Sequence, residues 1–138
     1  MNLSLIGITG ADMKWLDRSL LISPYCYALC RKESEFHKEL KKLKIPKADW
    51  PEFMLSDHAN ATVHYFENKK VHEKCCIVCL GPTKGCSKIQ VYSILVHEAV
   101  HIWQAIRDSI GEKRPASEQE AYAIQSIAQQ LFLAYDNK

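Results

Sequence analysis

An α+β fold is expected from this sequence on three observations. Apolar residues recur at helical spacing between about Lys88 and Ser109, and again up to about Tyr135. Two short runs rich in β-branched and aromatic residues, Ala61 to Phe66 and Cys75 to Leu80, stand close together before them. The N-terminal third carries helical spacing of its own. At 138 residues, with no internal repeat, low-complexity tract or Gly/Ser linker, residues 1–138 are expected to form one domain.

In chain order, Ala11 to Ile22 reads as a short helix, and Ser23-Pro24 supplies an N-cap and first-position proline for a second. Leu29, Phe36, Leu40 and Leu43 form the apolar stripe of that second helix up to Ile45-Pro46. Lys47 to Asn60 contains turn-prone residues and no periodicity, so an irregular connection is expected. The two β-rich runs then form a hairpin joined by Glu67 to Lys74, with Gly81-Pro82 ending the second strand. Beyond a turn at Gly85, the helix over Lys88 to Ser109 is marked by Val91, Ile94, Leu95, Ile102 and Ile106 and stopped at Gly111. After Glu112 to Pro115, a last helix presents Ile124, Ile127, Ala128, Leu131 and Tyr135 on one face.

The chemistry lies in His97-Glu98-Ala99-Val100-His101, inside the first of those two C-terminal helices. Residues four apart share a helix face, so His97 and His101 can each place an imidazole nitrogen about 2.0–2.1 Å from one zinc ion, Zn2+. Glu98 projects roughly 100° away from His97, beside the ion, where a carboxylate can take a proton from water as general base. Ile94, Leu95, Val96, Ile102 and Trp103 surround the pentapeptide without a charge or proline, as expected of a site helix packed on a core.

A catalytic zinc usually takes a third protein ligand. On the last helix Glu120 falls about 40° from the apolar face and Glu118 about 120° from it, which makes Glu120 the third-ligand candidate and Glu118 its alternative. Ser117-Glu118-Gln119-Glu120 also fits a capping box, in which Glu120 would bond back to the helix N-terminus. A straight helical hairpin turning near Gly111 would leave Glu120 about one turn, roughly 5 Å, from the level of His101.

With HEAVH followed by an acidic residue on a downstream helix, the chain resembles the gluzincin, thermolysin-like branch of the zincin metallopeptidases. HEAVHIWQ together with SEQEAYAIQ is similar to the small HExxH peptidases encoded in bacteriophage genomes, over about Ala61 to Gln130. The resemblance implies a zincin-like fold with N-terminal helices, a small sheet beside the active-site helix, and substrate added as an extended strand along the sheet edge. It also implies zinc held by His97, His101 and Glu120, with Glu98 as the base. The NExxxD-type third-ligand motif of the thermolysin-like enzymes is incomplete, because Glu120-Ala-Tyr-Ala-Ile-Gln125 lacks the Asp. Peptide-bond hydrolysis of a peptide or protein substrate is the expected activity. The alternatives are a non-catalytic zinc protein that docks on a host or virion protein, and an amidase acting on other amide links, including those of cell walls.

For stabilising the oxyanion formed when a carbonyl is attacked, Tyr122 is the candidate beside Glu120, with His64 and Tyr65 on the first strand of the hairpin. A net charge of +2 gives no electrostatic case for nucleic acid, even with the basic run Lys41, Lys42, Lys44 and Lys47. No membrane span or export signal is recognisable, so the six cysteines are expected as reduced thiols in a cytoplasm, that of the host cell if the chain is phage-encoded. Between Cys76 and Cys79 the β-branched Ile77 and Val78 suit extended chain, which sends the two thiols to opposite faces and argues against a metal knuckle. Cys26 and Cys30, four apart on the expected second helix, are expected as core thiols. The oligomeric state leaves no signal.

Overall fold

The computed structural model describes residues 25–137, which form an α+β fold: β1 (Tyr25–Cys30), α1 (Glu33–Lys42), β2 (Ala61–Asn68), β3 (Glu73–Leu80), α2 (Lys88–Ser109) and α3 (Ser117–Asp136). The sheet order is β1-β3-β2, with β1 parallel and β2 antiparallel to β3. Alternation along β3 divides the core. Cys76, Val78 and Leu80 pack with α2 and α3, whereas Ile77 and Cys79 join Phe36 and Leu40 of α1 on the other face. The sheet is therefore sandwiched, and β2 is an edge strand among the described residues.

The expected helix over 11–22 and the Ser23-Pro24 start lie outside the described residues. The second helix is corrected: Tyr25–Cys30 is a strand, and helix begins only at Glu33. Tyr-Cys-Tyr-Ala-Leu-Cys is buried on both faces beside β3, and a strand buried on both faces presents a continuous apolar run that periodicity does not separate from helix. Cys26 and Cys30 thus lie on a strand, both buried. Between α1 and β2 the chain is irregular apart from a short 3-10 turn at Lys47–Asp49. The hairpin forms where expected, each strand reaching two residues further toward the turn.

The span of α2 is the expected one. Ser87 caps it reciprocally: its Oγ accepts from Gln90 N at 3.2 Å while Gln90 Oε1 accepts from Ser87 N at 2.7 Å. At the other end Gly111 has φ +72°, and the Gly111 N to Asp108 O and Glu112 N to Arg107 O bonds close a Schellman motif. The capping box expected at Ser117 to Glu120 does not form, because the N-cap of α3 is Ala116. The two helices lie antiparallel, with Tyr92 stacked on Phe132 at 4.3 Å and hydrogen-bonded to Asp136.

Candidate metal centre

α2 buries Val91, Leu95, Ala99, Ile102 and Ile106 and leaves His97 and His101 exposed. The two imidazoles converge, with Nε2 atoms 3.1 Å apart and ring planes at 78°. Two nitrogens at that separation, each about 2.0–2.1 Å from one ion, subtend roughly 100° at it, close to the tetrahedral angle zinc prefers. The pair therefore fits two ligands of a zinc ion. Gln104 Oε1 lies 3.1 Å from His101 Nδ1, a contact that suits the neutral tautomer protonated at Nδ1, in which Nε2 keeps its lone pair. Among the described residues, no three His, Cys, Asp or Glu side chains are assembled as a ready metal cage.

Glu98 sits about 100° round the helix from His97 and about 60° from His101, on the side where α2 packs against β2. It is only 6% exposed and makes no hydrogen bond or ion pair among the described residues. Burial pushes its carboxyl above the usual range, while His97 and His101 pull it back in part. Tyr65 on β2 is close enough for its phenol to feel the Glu98 charge, though burial is the larger reason that this phenol is raised. A cleft of about 470 Å³ opens beside His97, lined by His58, Asn60, Ser93, Ile94, His97 and Glu98.

Glu120 is not brought to the histidines. Its Oε2 accepts from Trp103 Nε1 at 2.8 Å and lies 3.7 Å from the Arg107 guanidinium. Trp103 is about 140° round α2 from the bisector of the histidine pair, so α3 packs on the opposite side of α2. The antiparallel register also sets Glu120 beside Trp103 and Arg107, beyond the level of His101, in keeping with the one-turn shortfall expected from the sequence. Glu118 is exposed. Tyr122 is 65% exposed and makes no hydrogen bond or ring contact with a described residue. The hairpin separates the other two oxyanion candidates: Tyr65 is on the α2 face, whereas His64 stacks on Phe36 at 4.8 Å on the α1 face and contacts Phe53 O.

Three features escaped the sequence. Gln104 was discernible, being three residues after His101 on a helix. Trp103 and Arg107, four apart, were discernible as a pair but not as holders of Glu120. His58 lies in an aperiodic segment and gave no local signal. Cys76 and Cys79 fall on opposite sheet faces, as their spacing requires.

No helix among the described residues is long and apolar enough to cross a membrane. Comparison of the chain with protein-family models, with curated proteins and with solved structures finds no match.

Proposed function

We propose that this chain is a zinc-dependent hydrolase of the zincin type that cleaves peptide bonds, with His97 and His101 holding the metal and Glu98 acting as general base. The observation that carries this is the His97–His101 pair, its Nε2 atoms 3.1 Å apart, next to a buried carboxylate that has no hydrogen-bond partner among the described residues. Zinc, when bound, supplies Lewis acidity that polarises a carbonyl and makes water nucleophilic near neutral pH. Glu98 takes the proton of the attacking water and passes it to the leaving amine. Its burial supports this role, because a desolvated carboxylate accepts a proton more readily than an exposed one. The edge of β2, which leads away from the cleft at Asn60 and Ala61 and is unpaired among the described residues, offers backbone donors and acceptors to an extended peptide. Glu120 is engaged by Trp103 and Arg107 and is not beside the pair.

A second reading, a zinc protein that binds a partner without turnover, is favoured by one observation: no third ligand is assembled among the described residues. The test is Glu98→Gln, with bound zinc measured by elemental analysis and cleavage of a peptide library followed by mass spectrometry. Zinc retained with cleavage lost supports the hydrolase. Equal cleavage by variant and wild type contradicts it, and a zinc-loaded wild type that cleaves nothing supports the second reading.

A further inference from the structure

The histidine pair lies on the side of α2 turned away from α3, so a donor that completes the set comes from whatever borders that side. Among the described residues this is the segment leading into β2, where His58 lines the same cleft as His97 and Glu98. We propose that His58 is the third protein ligand, giving a three-imidazole zinc set of His58, His97 and His101; the inference rests on the zinc reading above.

The other histidines of the chain are excluded by position. The sequence has six. His37 belongs to α1 and its ring lies 5.0 Å from that of Trp50, on the far face of the sheet. His64 is buried on that same face against Phe36. His72 ends the β2–β3 turn with φ +53°, at the opposite end of β2 from the cleft. Only His58 lines the cleft together with His97.

Its surroundings leave it free to move as a side chain while fixing where it starts. His58 is exposed and makes no hydrogen bond or ring contact with a described residue. The backbone on either side is pinned: Ala59 N donates to Ser56 O at 3.2 Å, and Gly81 N donates to Asn60 O at 2.9 Å. Gly81 serves that approach directly, since a Cβ there would stand 3.1 Å from Asn60 O. The segment is held against the end of β3, with His58 among the residues that line the cleft. A neutral nitrogen donor suits zinc, and because no three such side chains are assembled among the described residues, the assignment requires His58 to turn toward the pair on binding.

The experiment is zinc affinity, measured on the full chain by competition with a chromophoric chelator. Wild type is compared with His97→Ala, His58→Ala, His58→Cys and Glu120→Ala, each checked for an unchanged far-ultraviolet circular dichroism spectrum without metal. We expect His58→Ala to weaken binding by at least about 100-fold, more than loss of an outer-shell partner would, while Glu120→Ala stays within about threefold. His58→Cys, which supplies a thiolate, should recover most of the loss. Zinc affinity unchanged in His58→Ala, or lost in Glu120→Ala, overturns the assignment of His58 and leaves the zinc reading standing. A wild type that binds no zinc, or a His97→Ala variant that binds it equally well, overturns both.

Discussion

Two imidazole nitrogens 3.1 Å apart share either a proton or a metal ion, and the residue next to them decides which partner His101 offers. With Gln104 Oε1 3.1 Å from Nδ1, the tautomer protonated at Nδ1 leaves His101 Nε2 as an acceptor. Gln104→Ala should therefore weaken zinc affinity by about 10- to 100-fold, as expected for a partner that orients a ligand, and Gln104→Glu, which keeps the acceptor, should restore it. Affinity unchanged in Gln104→Ala would show that His101 needs no such support. Glu120 has a different consequence. Its hydrogen bond from the buried Trp103 makes it part of the α2–α3 contact, so Trp103→Phe is expected to lower unfolding stability by about 1–3 kcal/mol in a urea titration, through the lost charge-assisted bond. At this scale the sequence revealed the residues whose neighbours are set by helix geometry alone: His97, Glu98 and His101. It could not place Glu120, because the position of that side chain depends on which side of α2 the next helix packs.

The elements show the same division between local and tertiary control. The termination of α2 is local: a glycine in the left-handed region, with both Schellman bonds present, makes Gly111 a residue whose Cβ would be strained. Gly111→Ala is expected to cost about 1 kcal/mol, read as a lower denaturation midpoint with an unchanged slope. The hairpin was legible for a similar reason, since β-branched runs and a polar connection specify it without reference to the rest of the chain. β1 was not. Its residues satisfy a helical stripe on paper, and only the parallel neighbour β3, joined across some forty intervening residues, makes Tyr25–Cys30 extended. The start of α3 gave the opposite error: Ser117 to Glu120 matches a capping box, yet helix begins from Ala116 while Ser87 and Gln90 form the box on α2.

Across the whole molecule, the sandwiched sheet protects its thiols and its one interior imidazole. Five of the six cysteines are buried and only Cys86 is exposed. Burial pushes the Cys75 thiol up to about 12 and raises Cys76 and Cys79 as well. A thiol reagent at pH 8 should modify one cysteine in the native chain and six after unfolding; more than one fast-reacting native thiol would contradict this core. His64 links the sheet to pH. Desolvation lowers its pKa despite the bond to Phe53 O, so the unfolded chain binds its proton first as pH falls. Its contribution to stability is complete above about 6.5, the ordinary value, and is lost as pH falls toward the lower folded value. The urea midpoint should drop between pH 7 and 5.5, less steeply in His64→Leu, and equal slopes would rule out this source. The sheet also sets the site, because β2 and the segment before it border the helix face that carries His97 and His101. The most direct test of that centre is the zinc content of the purified chain after dialysis, compared with His97→Ala and His101→Ala. The account predicts one zinc per chain, lost in both variants; a zinc-free wild type, or variants that keep the ion, would contradict it.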